Sequence, residues 1–502
     1  MTIKAAVYIS SEKIISPIDD RLYSSFIEHM GRAVYHGIFE PGHPTADIHG
    51  FRIDVAEQIR KLNLTQIRYP GGNFLSGYNW EDGVGDPASR PIRRDLAWFA
   101  IEPNQVGTNE FTAYCKEIGV QPMMGVNLGT RGPQDAVNLL EYCNVEGGTY
   151  FSDLRRSHGY ESPYGIKLWC LGNEMDGPWQ ICAKTAGEYG RIACETAKMM
   201  KWMDPSIELV ACGSSYRSMP TYGTWERTVL GHCYPYVDYL SLHQYYQNND
   251  GDVPTFLARN NEMDSFIKEV ADICREVKKE KGVDHDVFLS FDEWNVWYHF
   301  QKAGKEPEKW TTGRPIEEEI YDFADALLLG SILTTLINNA DTVKIACLAQ
   351  LVNTIAPIMT ENDGRVWLQT TYYPFLYTSQ YGRGTALTSQ VDAPVYDCAA
   401  GSAIPYLDCA AVLSDDRAAL TLFLVNKHLT ETMETTVLLS GIVSSRITQC
   451  VTLSGFPLDA VNTADNAPVI PVISQTDCQL TKDGINISLP AASWQMVRIA
   501  VG

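Results

Sequence analysis

Basic residues are scarce in this 502-residue chain. Forty Lys and Arg residues stand against 61 Asp and Glu residues, which gives a formal net charge of −21. Nucleic acids and anionic membranes are bound through basic surface, so both are disfavoured as partners, whereas a neutral or cationic ligand is not repelled. With 45% hydrophobic and 20% charged residues, the composition is typical of a soluble globular protein.

The chain also lacks long apolar runs and metal-type cysteine pairs. Its most apolar stretch, ADALLLGSILTTLI, is too short to span a membrane. The opening MTIKAAVYISSEKI has no basic segment followed by an apolar core and a cleavage site. The 13 cysteines are scattered without CxxC pairs or zinc-type spacing. We therefore expect a cytoplasmic protein with reduced thiols, no membrane association and no metal bound by cysteines.

Short apolar runs alternate with amphipathic helical segments over the first 350 or so residues. Helical patterns such as Phe51–Asn63 and Ala183–Met203 separate eight candidate strands. The polar residues at or near the ends of these strands are Glu28, Asn73, Asn127, Glu174, Ser214, His243, Glu293 and Gln350. Eight parallel strands alternating with helices predict a closed (β/α)8 or TIM barrel, whose active site lies at the carboxyl ends of the strands.

The pattern changes after about residue 380. Alternating or β-branched runs such as AALTLFLVNKH and RITQCVTLSG replace the helical patterns and are separated by Gly, Pro, Asn and Asp. They predict an antiparallel β-sandwich, which the strand-like N-terminus can join. The prediction is thus an α/β fold with a catalytic barrel over residues 17–380 and an all-β sandwich over residues 381–502, together with an N-terminal strand in residues 1–16.

Glu174 and Glu293 are the strand-end residues that suggest chemistry. They end the fourth and seventh strands, which lie on opposite sides of a barrel mouth, so their side chains can face each other. Paired carboxylates that flank a bond carry out glycoside hydrolysis, with retention at a separation of about 5–5.5 Å and inversion at a wider one. An ionised Glu293 raises the pKa of a nearby Glu174, which predicts Glu174 as the acid and Glu293 as the nucleophile.

Two neighbours of these acids have predicted roles. Asn173 can hold a sugar hydroxyl next to the attacked carbon while Glu174 reaches the leaving oxygen. Tyr245, on the sixth strand, can hydrogen-bond Glu293 and hold it ionised.

Other polar and aromatic residues have structural alternatives. Glu28 can be a buried acid paired with Arg32 or Arg68, and Asn73 can be a turn residue after two glycines. Trp179 and Trp297 fit the core or the rim as well as they fit stacking on a sugar, and His243 is expected to be a hydrogen-bonded strand-end residue and not a metal ligand. The run Glu317-Glu318-Glu319 predicts a solvated helix start.

Six longer motifs extend this interpretation. They are FIEHMGRAVYHGIFEPGH, IRYPGGNFLSGYNWEDGVG, WCLGNEMDGPWQ, SLHQYYQN, DEWNVWY and AQLVNTIAPI. Together they resemble the α-L-arabinofuranosidases of glycoside hydrolase family 51, members of clan A of retaining (β/α)8 glycosidases. With the sandwich tail, the resemblance covers essentially the whole chain.

The resemblance implies an exo-acting, retaining enzyme that needs no cofactor. It would release terminal non-reducing α-L-arabinofuranosyl residues from oligosaccharides derived from arabinan or arabinoxylan. The residues implied are Glu174 as acid/base, Glu293 as nucleophile, Glu28, Asn73, Asn173, Tyr245 and Gln350 as substrate-binding or orienting residues, and Arg68 in support of the nucleophile. Trp98, His243, Trp179 and Trp297 are added as further supporting residues from their positions near these motifs. The family fold is a barrel followed by a jelly roll that takes in the N-terminal strand, and bacterial relatives commonly form hexamers, so a homo-oligomer is expected.

One segment departs from the family pattern. Pro103 and the pair Gln105-Val106 stand where relatives more often carry an Asn-Arg-Phe-Gly segment. This loop and Trp98 are expected to shape the leaving-group side, so the resemblance does not fix the preferred linkage.

Three alternative functions fit parts of the pattern. A metal-dependent barrel isomerase would need several converging ligands, and only His243 is well placed. A non-catalytic carbohydrate-binding barrel would not need both acids. Within the hydrolases, a clan A β-xylosidase or endo-β-glucanase is the alternative, although a pocket closed by Glu28 and Asn73 favours a single terminal furanose.

Overall fold

Strands and helices alternate through most of the chain, and strands alone follow. The computed structural model describes residues 2–299, 306–474 and 477–502. The strands are β1 (Thr2–Pro17), β2 (Ser24–Phe26), β3 (Gln66–Tyr69), β4 (Arg93–Asp95), β5 (Ala100–Glu102), β6 (Gln121–Val126), β7 (Leu168–Leu171), β8 (Glu208–Ala211), β9 (Tyr239–Tyr246), β10 (Phe288–Val296), β11 (Val343–Ala349), β12 (Ile358–Thr360), β13 (Val366–Leu368), β14 (Thr385–Asp392), β15 (Val395–Cys398), β16 (Gly401–Pro405), β17 (Leu407–Leu413), β18 (Ala419–Asn426), β19 (Thr432–Ser440), β20 (Ser444–Leu453), β21 (Val472–Ile473), β22 (Cys478–Thr481), β23 (Gly484–Leu489) and β24 (Ser493–Val501). The helices are α1 (Ile53–Lys61), α2 (Thr108–Ile118), α3 (Pro133–Asn144), α4 (Tyr150–Ser157), α5 (Ala186–Met203), α6 (Thr224–Cys233), α7 (Val253–Leu257), α8 (Asn260–Lys281), α9 (Phe323–Asn338) and α10 (Tyr372–Tyr381).

Eight of these strands close into a barrel. Their order around it is β2-β3-β6-β7-β8-β9-β10-β11, and every neighbouring pair is parallel. Strands such as β7 are buried along their whole length, because side chains fill the barrel on one face and helices cover the other. The predicted (β/α)8 barrel is confirmed, with β7 as its fourth strand and β10 as its seventh.

Helix α9 is buried along nearly its whole length because protein covers it on more than one side. It packs against α8 and α10 and against β17 and β18 of the C-terminal sheet, so an amphipathic pattern is not required. No helix in the described part of the chain combines the length and the hydropathy that crossing a bilayer requires.

The C-terminal strands form one ten-stranded sheet that curls onto itself. Its order is β21-β20-β24-β18-β17-β14-β1-β19-β23-β22. The two ends of the sheet meet, since Cys450 Sγ on β20 lies 3.4 Å from Cys478 Sγ on β22. Apolar side chains from both halves, such as Val7 and Leu420, share one buried core. This confirms the predicted all-β sandwich, and β1 is part of its sheet; the domain limits 17–380 and 381–502 stay a prediction.

The prediction of a solvated helix start at Glu317-Glu318-Glu319 is wrong. Helix α9 begins only at Phe323. Glu318 is buried against Arg32, with Nε and Oε1 2.6 Å apart, and Glu319 is 1% exposed. A run of like charges usually faces solvent, but here tertiary partners far away in the sequence hold the carboxylates inside.

Candidate active site

A cavity of about 690 Å³ opens at the carboxyl ends of the barrel strands. The predicted site residues that line it are Glu28, Asn73, Trp98, Glu174, Trp179, Tyr245, Glu293, Trp297 and Gln350. The remaining three, Arg68, Asn173 and His243, are buried beneath it and contact the two acids or one another. The structure therefore brings all twelve residues to one place.

The two candidate catalytic acids reach this cavity by different routes. Glu293 lies within β10, whereas Glu174 stands in the loop after β7 with a left-handed φ of 44°. A non-glycine residue rarely adopts this conformation, and such strain concentrates at functional sites. A carboxylate oxygen of each acid and a ring nitrogen of His243 all lie within 4.8 Å of one another. This spacing fits a retaining pair and is narrower than the roughly 6.5–9.5 Å that inversion requires.

Glu293 is held in its ionised form. Arg68 Nη1 donates to Glu293 Oε1 at 2.7 Å, and the Tyr245 hydroxyl donates to Oε2 at 2.8 Å. Burial opposes ionisation, but the positive charges of His243 and Arg68 and these two hydrogen bonds outweigh it and lower the pKa of Glu293. A buried, ionised and aimed carboxylate is the form that can attack carbon.

Glu174 is shifted in the opposite direction. Burial raises its pKa, and the charge of Glu293 adds to that effect. His243 Nδ1, 3.0 Å from Oε1, and Trp179 Nε1, 2.6 Å from Oε2, offset only part of the rise. Two neighbouring carboxyl groups whose pKa values are pushed apart in this way divide into an acid and a nucleophile.

His243 lies between the two acids. Its Nδ1 is 3.0 Å from Glu174 Oε1 and 3.6 Å from Glu293 Oε2. Burial disfavours the imidazolium, but the two carboxylates outweigh burial and raise the pKa of His243. The ring thus interacts with both acids, which goes beyond the strand-end hydrogen bond that the sequence predicts.

The Gly71-Gly72 pair allows the backbone to approach these acids. A Cβ atom on Gly72 would lie 3.1 Å from Glu293 Oε1 and 3.2 Å from Asn173 Nδ2. The glycine thus makes room for the buried polar cluster, and the turn places Asn73 in the cavity wall. Asn173 Nδ2 has no hydrogen-bond partner among the described residues, while Asn173 Oδ1 accepts from Arg68 at 2.6 Å.

Glu28 forms the wall of the cavity with Trp98. Its Oε1 accepts hydrogen bonds of 2.9 Å from the Phe74 backbone N–H and from the Trp98 indole N–H. Burial raises the pKa of Glu28 to about 8. Arg32 pairs with Glu318 and Arg68 with Glu293, so neither arginine is the partner of Glu28 that the sequence allowed. Gln350 fixes the same strand end, since its Oε1 accepts from the Glu28 backbone N–H at 2.9 Å.

Two tryptophans stand at the outer part of the site. Trp297 packs edge-on against Tyr245 with ring centroids 4.9 Å apart and donates to Glu317 Oε2 at 2.9 Å. Trp179 is 42% exposed. Both residues line the cavity, and Trp297 also packs against the core, so contact of these rings with a sugar stays a prediction.

One group of His, Cys, Asp and Glu side chains within the described ranges comes close enough to hold a metal ion, and it consists of Glu174, His243 and Glu293. Arg68 already supplies a positive charge at 2.7 Å from Glu293. That guanidinium would repel an added cation. The raised pKa of His243 favours a proton on the ring, where a metal would need a free nitrogen, so the donor set does not fit a resident metal.

Several cavity residues are absent from the sequence predictions. The loop after β8 contributes Ser215, Tyr216 and Ser218, and β9 and the segment following it contribute Gln244 and Gln247. Polar residues directly after the fifth and sixth strands were the available signal, because every barrel strand end faces the same mouth.

Fold and site together define a barrel glycoside hydrolase with a retaining pair of carboxylates. The family models described as "Alpha-L-arabinofuranosidase 1 domain" and "Alpha-L-arabinofuranosidase C-terminal domain" match residues 58–266 and 292–493. A Bacillus subtilis (strain 168) protein named intracellular exo-α-(1→5)-L-arabinofuranosidase 1 is 54% identical over 99% of both chains. The chain therefore belongs to the α-L-arabinofuranosidases of glycoside hydrolase family 51.

Further comparisons agree with this assignment. An intracellular exo-α-(1→5)-L-arabinofuranosidase of Halalkalibacterium halodurans is 50% identical over 99% of both chains. The solved structure of a family 51 α-L-arabinofuranosidase from Bifidobacterium longum has a TM-score of 0.94 at 39% identity, covering 99% of this chain and 100% of that one.

Proposed function

We propose that the protein is a retaining, exo-acting α-L-arabinofuranosidase that acts on arabinose-containing oligosaccharides inside the cell. The observation that carries the proposal is the pair Glu174 and Glu293, with oppositely shifted pKa values and oxygens within 4.8 Å at the barrel mouth. The names of the two similar bacterial proteins support the substrate, the exo action and the location. Neither of these two names supports the alternative, a β-xylosidase or endo-β-glucanase.

In the first step, Glu174 donates its proton to the leaving glycosidic oxygen while a Glu293 oxygen bonds to the anomeric carbon. The glycosidic bond breaks, and an arabinosyl–Glu293 ester remains. Once Glu293 is esterified, its charge no longer disfavours ionisation of Glu174. Glu174 then takes a proton from water, the water oxygen bonds to the anomeric carbon, and Glu293 leaves as a carboxylate. Two inversions give net retention.

The other predicted residues hold the sugar and aim the nucleophile. Arg68 and Tyr245 keep Glu293 ionised and fix its oxygens. The free donor of Asn173 is assigned to a sugar hydroxyl near the attacked carbon, since a buried N–H without a partner gains most from such an acceptor. Glu28, Asn73, Gln350, Trp98 and Trp297 line the pocket that would hold the furanose ring.

The substrate proposal predicts a clear order of activities. Hydrolysis of 4-nitrophenyl α-L-arabinofuranoside should exceed that of the β-D-xyloside and β-D-glucoside at least about 100-fold in kcat/KM, because a site built for hydrogen bonds to one sugar rejects misplaced hydroxyls. Steady-state assays of the three substrates measure this. An α-(1→5)-linked arabino-oligosaccharide should lose single terminal arabinose units.

Matched controls are activity in excess EDTA, which should be unchanged since no step uses a metal, and the Glu293→Gln variant, which should be inactive on all three substrates. A xyloside or glucoside cleaved faster than the arabinofuranoside, or internal cleavage of the oligosaccharide, would contradict the proposal in favour of the clan A alternative.

We also propose a homo-oligomer, a hexamer by resemblance to bacterial members of the family. Light scattering of the eluting peak in size-exclusion chromatography should then give six times the chain mass of 56.0 kDa. A particle with the mass of one chain would contradict this.

A further inference from the structure

Trp179 contacts the candidate acid Glu174, although the residue is exposed. Its indole Nε1 donates to Glu174 Oε2 at 2.6 Å, yet the residue is 42% exposed. An exposed side chain has several accessible rotamers, and a single hydrogen bond fixes it poorly. Something else must hold the indole in the orientation in which it donates to the acid.

The ring of Tyr216 is placed to do so. The two rings stack with centroids 5.8 Å apart and planes 11° from parallel. Tyr216 comes from a different part of the barrel, the loop after β8, and lines the same cavity. Stacked aromatic pairs gain energy beyond simple burial, so the tyrosine favours one orientation of the indole.

The loop that carries Tyr216 is itself tied to the loop that carries the acid. The carboxylate of Asp176 accepts from the Ser215 backbone N–H at 3.1 Å and also from the Ser215 hydroxyl. Asp176 follows Glu174 by two positions, and Ser215 directly precedes Tyr216. The loops that carry the two stacked rings are thus joined by the hydrogen bonds between Asp176 and Ser215.

The backbone at Gly177 also lies close to the indole. A Cβ atom there would lie 2.5 Å from Trp179 Cε2. Glycine lets the loop pass this close to the ring, so the indole contacts both the backbone at Gly177 and the ring of Tyr216.

We propose that Tyr216 is a positioning residue that holds the Trp179 indole against Glu174 and thereby governs proton transfer to the leaving group. The inference rests on the proposed function, because it assigns Glu174 as the acid/base. It concerns the position of the hydrogen bond to Glu174 and not contact between Tyr216 and the reacting atoms.

The test compares two aryl leaving groups that differ in their need for a proton. Phenyl α-L-arabinofuranoside needs a proton to leave, and the 2,4-dinitrophenyl glycoside does not. In Tyr216→Ala, kcat/KM should fall about threefold to tenfold for the phenyl substrate, the loss expected for a stacked pair, and stay within about twofold for the dinitrophenyl substrate. Tyr216→Phe keeps the ring and should match the wild type on both.

The pH profile gives a second readout that a merely structural role would not move. The groups facing Glu174 are His243 on β9, Glu293 on β10 and the Trp179 N–H, and the last of these lowers the pKa of Glu174. Loss of that hydrogen bond in Tyr216→Ala should move the alkaline limb of kcat/KM to higher pH. In a Trp179→Ala background, Tyr216→Ala should have no further effect on either readout, since its target is gone.

Equal losses on both substrates, an unmoved alkaline limb, or effects of Tyr216→Ala and Trp179→Ala that simply add would each overturn the inference. The proposed function fails separately: a wild type that cleaves aryl xylosides and not arabinofuranosides would overturn it. The same leaving-group comparison on aryl xylosides would then still decide whether Tyr216 positions Trp179.

Discussion

Glu293→Ala should lower kcat for arabinofuranoside hydrolysis about 10⁵- to 10⁶-fold, the scale seen when a nucleophile is removed from an assembled catalytic site. The loss is expected on every leaving group, because the glycosyl–enzyme bond cannot form whether or not the aglycone needs a proton. Arg68 and Tyr245, which donate to Glu293 at 2.7 and 2.8 Å, would remain in place with nothing to orient. Single-turnover and steady-state assays on the same aryl substrate measure the effect.

Glu293→Gln is the matched control for folding. An amide oxygen can still accept from Arg68, so this variant avoids leaving a buried guanidinium without a partner, which typically destabilises by about 3–5 kcal/mol. It should be as inactive as Glu293→Ala and unfold at a temperature close to that of the wild type. Azide added to Glu293→Ala can occupy the space of the carboxylate and should give the β-L-arabinofuranosyl azide, the product of one inversion. More than about 1% residual kcat in both variants would contradict the role, given the size of the loss expected.

The barrel could be predicted because the same sequence pattern, an apolar run that ends in polar residues, repeats along the chain. Each parallel strand is covered on both faces and therefore reads as an apolar run, and each ends at the same mouth, where polar residues are needed. The order of eight such runs then fixes which strand ends oppose each other. That is why Glu174 and Glu293, 119 positions apart in the sequence, could be expected to meet.

Contacts between loops could not be predicted in this way. Glu318 is buried because Arg32, 286 positions earlier, reaches it, and the charge pattern around Glu318 carries no sign of that partner. The hairpin of β4 and β5 that presents Trp98, and the stack of Tyr216 on Trp179, likewise depend on loops whose paths are set by tertiary packing. The family resemblance supplied Arg68 and Trp98, but the residues alone supplied the two acids, Asn173 and Tyr245.

The contacts of His243 with both acids could not be predicted from its residue type. A histidine at a strand end is most often an ordinary hydrogen-bonded residue, and the spacing of the sequence gives no reason to expect more. Only the geometry reveals that it lies 3.0 Å from one acid and 3.6 Å from the other, so that the charges of both acids raise the pKa of the ring.

Glu174→Ala should produce a loss that depends on the leaving group. For a natural arabino-oligosaccharide, whose alcohol must be protonated to depart, kcat/KM should fall about 10³- to 10⁴-fold, near the upper range for general acid catalysis. For a dinitrophenyl arabinofuranoside the same value should change far less, while kcat falls because water is no longer activated in the second step. Azide, which needs no base, should restore turnover and yield the α-L-arabinofuranosyl azide, the product of two inversions. The β-azide, or an equal loss on both substrates, would contradict the role.

The pH profile of the wild type follows from the lowered pKa of Glu293 and the raised pKa of Glu174. Glu174→Ala should alter only the alkaline limb of this profile. Catalysis needs Glu293 ionised, and the pKa of Glu293 is lowered by His243 and Arg68 against the effect of burial, so activity should fall only at acidic pH. Catalysis also needs Glu174 protonated, and burial together with the charge of Glu293 raises the pKa of Glu174, so activity should persist towards neutral pH before it falls. In Glu174→Ala, kcat/KM for the dinitrophenyl substrate should lose the alkaline limb and keep the acidic one, because the group whose deprotonation ends activity is gone while the nucleophile still has to ionise.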